Sequence, residues 1–244
     1  MEKDTMSEKR IRLTPRLQAA AEWVPQGAAL CDVGTDHALL PAALLLEGRL
    51  ERAIASDIRP GPLERAARTA AQYGLTDRLA LRLCPGLEGI APGEADAVTI
   101  CGMGGEMILH ILEAAPWTKE GVTLILQPQR SQSELRRWLW GSGYAIQREK
   151  LVAEGERWYT LLLCRGGEQH LPEEPAAELV GHPRLWERQP ERLEYLNDLL
   201  KKDRLLLERL SLSRQSEEKA EQLKKECARL EYWIEKLEKG AWPE

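Results

Sequence analysis

Four short stretches carry chemistry-bearing side chains where an apolar run gives way to a turn. In LCDVGTDHALLP (30–41), Asp32, Gly34, Thr35, Asp36 and His37 stand between a strand-like and a helix-like run. Asp57 closes the next apolar run, 23 residues after Gly34. A carboxylate at that spacing can accept both hydroxyls of a ribose, as in nucleotide-binding βαβ units. The alternative is a cap for the helix that begins near Pro62.

The first turn departs from G-x-G-x-x-G. Gly34 permits a tight bend, but Asp36 and His37 occupy positions where a dinucleotide loop needs glycines. A carboxylate there repels a pyrophosphate and favours a cationic ammonium or sulfonium. That points to S-adenosylmethionine rather than a nicotinamide dinucleotide, although a plain helix N-cap at Asp36 is compatible with the same residues. In ICGMGGEM (100–107), three glycines surround Met103. They suit close backbone approach to a flat ligand, or a strained strand-to-helix turn. Cys101 is expected to be a partly accessible thiol beside the crevice, with nothing to make it a nucleophile.

These residues need a scaffold that brings strand ends together. Apolar β-like runs at 28–33, 52–58, 79–84, 95–102 and 121–128 are each followed by a helical stretch or loop. Two further runs, YAIQREKLV and RWYTLLLCR, have no helix between them and read as a hairpin. The expected fold is α/β, a Rossmann-like, doubly wound, mostly parallel seven-stranded sheet with an antiparallel pair at one edge. Thr14-Pro15 reads as the cap and first turn of an N-terminal helix. From about residue 190, leucines follow a heptad: Leu193, Leu196, Leu200, Leu207 and Leu210, with Asp203 polar in the seam, then Leu223, Cys227, Leu230, Ile234 and Leu237. This predicts a C-terminal antiparallel, coiled-coil-like helical hairpin. The expected division is a cofactor domain over 1–165 and a linker with hairpin over 166–244.

Composition limits the function classes. The chain has 244 residues, 43% hydrophobic and 30% charged, with a net charge of −5. The charged start MEKDTMSEKRIR has no apolar signal core, and no apolar run approaches a membrane span, so a cytoplasmic protein is expected. Five cysteines lie far apart with no CxxC pair, which argues for reduced thiols and no metal. Arg10 and Arg12 near the start, and Arg130, Arg136 and Arg137 after the fifth strand, are candidate phosphate contacts or simply solvated surface.

DVGTDHALLP, IASDIRPGPL, PGEADAVTICGMGG and LILQPQRSQSELRRWL resemble the bacterial tRNA (adenine-22-N1)-methyltransferase family over roughly residues 11–164. The hairpin resembles that family's C-terminal domain. The resemblance implies S-adenosylmethionine as cofactor, tRNA as partner, and methyl transfer to N1 of adenine 22. It implies cofactor contacts from Asp32, Gly34, Thr35, His37, Asp57, Ile58, Gly86, Leu87 and Cys101. Departures are Pro85, where the family's Gly-Asp-Gly-Leu has an acid, Cys101 for an alanine, and QPQ at 127–129 for Gln-Pro-Asn.

Adenine N1 carries an in-plane lone pair, so such chemistry needs alignment more than activation. The base must be splayed out. Methylation leaves a cation that a carboxylate or carbonyl accepting from N6 would stabilise. Asp36 and the Gly102-Met103 backbone are the expected groups. The tail, with 14 Lys/Arg against 15 Asp/Glu over residues 178–244, is expected to serve the RNA and not the cofactor. Methylation of a small molecule, or a non-catalytic scaffold with a decayed pocket, are the competing readings.

Overall fold

The computed structural model describes residues 10–169, 177–181, 185, 191–211 and 217–240. Seven strands form one sheet: β1 Leu30–Val33, β2 Ala53–Asp57, β3 Leu79–Leu83, β4 Ala97–Met103, β5 Thr123–Pro128, β6 Tyr144–Glu154 and β7 Arg157–Gly166. Their order is β3-β2-β1-β4-β5-β7-β6. The first five are parallel and β7 runs antiparallel between β5 and β6. Helices α1 Pro15–Trp23, α2 Leu39–Leu46, α3 Pro60–Tyr73, α4 Gly105–Glu113 and α5 Gln132–Gly141 cover the sheet. The doubly wound expectation is met.

Successive strand side chains point to opposite faces, and both faces here are dry. Leu30, Ala97 and Ile125 join one apolar cluster with Ala20, Leu44 and Ala66 of α1, α2 and α3. Cys31, Val98 and Leu126 join the other with Ile108 of α4 and Leu139 of α5. That is why the inner strands read as unbroken apolar runs. Thr14 is the extended N-cap of α1, and Pro15 occupies its first turn, as the sequence implies.

The tail is helical, with a short α6 Ala177–Val180, then α7 Glu191–Ser211 and α8 Glu217–Glu238. Leu196, Leu200, Cys227, Leu230, Ile234 and Leu237 are buried together as the heptad predicts. Arg204 of α7 pairs with Glu231 of α8 at 2.7 Å. The seam continues into the sheet: Leu151 of β6 and Val180 belong to the same cluster, and Trp158 of β7 meets Tyr195 edge-on at 6.2 Å. One end of the hairpin is therefore docked on the β6–β7 ribbon, while Leu205 and Leu206 are exposed.

Candidate functional site

In an open parallel sheet, ligands bind beyond the carboxyl ends of strands where the winding reverses. Here β1 lies between β2 and β4, and a cleft of about 460 Å³ opens at that point. β1 and its turn contribute Val33 and Gly34, and β2 contributes Asp57 followed by Ile58 and Arg59. The loop after β3 contributes Pro85, Gly86, Leu87 and Glu88, and β4 contributes Cys101, Gly102 and Met103. One face of α4 closes it with Met107, His110, Ile111 and Ala114.

The GTDH and GMGG turns meet physically. Gly34 has φ of 70°, and a Cβ there would overlap the terminal methyl of Met103. Gly102, at φ of 83°, sits in a β-bulge between Cys101 and Met103. Bulges re-aim backbone groups beside sites. This one is held by Gln127, a fully buried amide of β5: its Oε1 accepts from Gly102 N at 3.1 Å and from Arg16 Nη1 at 3.0 Å. Its Nε2 donates to Pro128 O at 3.1 Å. Arg16, on α1, is also anchored beside Glu154 and over the Tyr159 ring.

Asp57 is 7% exposed, and its Oδ1 accepts from Arg59 N at 2.8 Å. That bond shapes the turn into α3 and leaves the second oxygen for a ligand. Asp57 does not cap α3, whose N-cap is Arg59 with no side-chain cap bond; its second oxygen is the acceptor that a ribose reading needs. Asp32, next to Val33, is buried and accepts from Thr99 Oγ1 at 2.7 Å. Burial raises its pKa, opposed by that hydrogen bond. Cys101 lines the cleft, but burial and nearby Asp32 push its thiol up, so it stays protonated and a poor nucleophile.

Gly34, Asp57, Ile58, Gly86, Leu87, Cys101, Gly102 and Met103 are brought together. Asp32, Thr35 and His37 do not line the cleft. Asp36 requires correction. Its side chain is 66% exposed and ion-paired with Arg65 of α3, and its neighbour His37 lies 3.5 Å from it. Nor does it cap α2, because Ala38, in a left-handed conformation, holds that position without a side-chain cap bond.

Arg136 also requires correction. It is 1% exposed, and its Nη2 donates to the buried Glu149 at 2.8 Å. Nη1 donates to the carbonyls of Glu178 and Leu179 at 3.2 and 3.1 Å. It locks α5, β6 and α6 together and is buried out of reach of a phosphate. Arg10, Arg12, Arg130 and Arg137 are exposed. Arg130 lies along Gly104, where a Cβ would stand 3.1 Å from its Nε.

Several cleft residues escaped sequence reasoning: Glu88, Met107, His110, Ile111 and Ala114, besides Gln127 beneath. A helical-face reading of α4 continued from GMGG would have found Met107, Ile111 and Ala114 at spacings of three and four.

The lining suits a nucleoside without phosphate. A buried carboxylate, Asp57, lines it together with apolar side chains, of which Ile58 is 65% and Met107 56% exposed. Comparison with known proteins agrees. A family described as a methyltransferase domain matches residues 13–162. The tRNA (adenine(22)-N(1))-methyltransferase of Bacillus subtilis (strain 168) is 34% identical over 235 residues, 94% of this chain and 99% of that protein. This chain belongs to the tRNA (adenine-22-N1)-methyltransferase family.

Solved structures concur over the same span. The B. subtilis M1A22 tRNA methyltransferase TrmK superposes with a TM-score of 0.82 at 33% identity, covering 92% of this chain and all of that one. M. capricolum TrmK, in complex with the cofactor product S-adenosyl-homocysteine, gives 0.79 at 26% identity, covering 91% and 98%. Both shares include the helical tail, so the family likeness extends beyond the cofactor sheet.

Proposed function

We propose that this protein transfers a methyl group from S-adenosylmethionine to N1 of adenine 22 in tRNA. The observation that carries the reading is the cleft lined by Gly34, Asp57, Gly102 and Met103 at the switch point of the sheet, in a chain similar over 94% of its length to a tRNA methyltransferase. The cofactor supplies an electrophilic methyl group on a sulfonium. Asp57 holds the ribose through its free oxygen, and Ile58, Leu87 and Met107 offer apolar surface to the adenine. Gln127 and Arg16 fix the Gly102 bulge at the cleft wall.

Because adenine N1 needs no proton removed, these residues act by placement and by excluding water. Asp36 is ion-paired with Arg65 outside the cleft, which leaves the Gly102–Met103 backbone at the cleft wall to accept from the base amino group. Arg10, Arg12, Arg130 and Arg137, all exposed, supply phosphate contacts, Arg130 from beside Gly104. No helix among the described residues is long and apolar enough to cross a membrane, and a cytoplasmic location goes with a tRNA substrate.

The test is mass spectrometry of both the nucleosides and the sequence-specific nuclease fragments of tRNA after incubation with enzyme and isotopically labelled cofactor. One labelled methyl as 1-methyladenosine at position 22 is expected. Label at another position, or none, overturns the assignment.

A further inference from the structure

A second cleft, of about 380 Å³, opens where the β6–β7 ribbon meets α7. Gln129 and Gln132 come to it from the segment after β5, Arg157, Trp158 and Tyr159 from β7, and Lys202 from α7. It shares a wall with the cofactor cleft. A Cβ on Gly102 would stand 3.7 Å from Gln129 Nε2 and 3.3 Å from Arg16 Nη1. The Arg16 guanidinium lies 5.3 Å from the Tyr159 ring centre. The line from Gly102 through Arg16 to Tyr159 thus leads from the methyl-transfer wall into the second cleft.

The lining matches what a single-stranded nucleotide needs. Aromatic faces stack a base, carboxamides pair with its edge, and cations meet its phosphates. Arg157 is exposed and has no ion-pair partner among the described residues. Lys202 has only a long contact with Asp198, 3.8 Å, which a phosphate can displace. Glu156 and Asp198 also line the cleft, which argues against a polyanionic groove and for one or two placed phosphates.

We propose that this cleft holds a nucleotide adjacent to the adenine that is methylated, its base against Tyr159 and its phosphates at Arg157 and Lys202. This rests on the tRNA reading above and assigns α7 a direct part in it: the tail completes a nucleotide subsite rather than acting as a remote lever.

The test uses the full-length chain with a tRNA transcript as the probe. The Arg157→Gln, Lys202→Gln double variant changes exposed side chains only. Its KM for tRNA is expected to rise about tenfold, with the slope of log affinity against log salt reduced by about 0.7 for each lost phosphate contact. Cofactor affinity by calorimetry is expected to stay within twofold. Tyr159→Ala is expected to lose about tenfold in tRNA affinity and Tyr159→Phe to keep it, as stacking requires. An abasic nucleotide at position 21 or 23 is expected to weaken the parent protein but not Tyr159→Ala further. If the parent protein methylates tRNA while all these variants bind it within twofold, the subsite is wrong and the function stands. If the parent protein leaves tRNA unmethylated, both fall.

Discussion

Replacing Asp57 by asparagine separates two jobs that its carboxylate does at once. One oxygen accepts from Arg59 N at 2.8 Å and forms the turn into α3, and the group is only 7% exposed, so the other oxygen is its sole means of holding a ligand. Asparagine keeps an acceptor for Arg59 but turns the second oxygen into a donor, which cannot accept from a ribose hydroxyl. A lost charge-assisted hydrogen bond corresponds to roughly 1.5–3 kcal/mol, or about ten- to a hundredfold in affinity. Alanine also removes the turn bond, adding about 1 kcal/mol of instability. Calorimetry with S-adenosylmethionine and S-adenosylhomocysteine distinguishes the cause. A ribose contact weakens both ligands equally, because they share the ribose. A long-range attraction to the sulfonium weakens only the charged one. A change below about threefold for Asp57→Asn, or a loss confined to S-adenosylmethionine, would refute the ribose assignment.

Pro85→Asp restores the acid usual in the family and is expected to tighten cofactor binding without moving the methylated position; unchanged affinity in calorimetry would mean that another group, such as Glu88, already serves the adenine. Arg136→Ala is expected to cost about 3–5 kcal/mol in urea unfolding because it strands buried Glu149. Exposed Arg137→Ala is expected to cost under about 0.5 kcal/mol, and equal costs for the two would contradict the buried ion pair. Asp203 sits in the hairpin seam, where burial and then Glu226 raise its pKa from 3.8 to about 6. The folded state therefore binds the proton more tightly. Stability is highest below about pH 4 in this respect and declines as pH rises to about 6, by an amount that solvent screening holds near 1 kcal/mol. Asp203→Asn is expected to remove that slope in pH-dependent denaturation, and an unchanged slope would place its origin elsewhere.

The strand succession, the two-sided burial of the sheet and the meeting of the Gly34, Asp57 and Met103 turns are legible in the amino-acid pattern alone. These follow from local periodicity: apolar runs alternating with helical stretches allow few topologies, and a parallel sheet gathers its carboxyl ends on one edge. The heptad of the tail was legible for the same reason. Tertiary structure decided what local pattern cannot carry. Arg136 and Arg137 are adjacent and chemically alike, but a helix turns them roughly 100° apart. The partner that buries the first, Glu149, belongs to another element. Asp36 was drawn away by Arg65, 29 residues later, which no spacing rule links to it. Gln127 and Arg16 lie 111 residues apart, yet together they fix Gly102. The tail, polar overall and separable in sequence, proved to share its apolar cluster with Leu151 and Trp158 of the sheet. Each of these depends on long-range contacts, and only the closed fold sets which polar groups face each other.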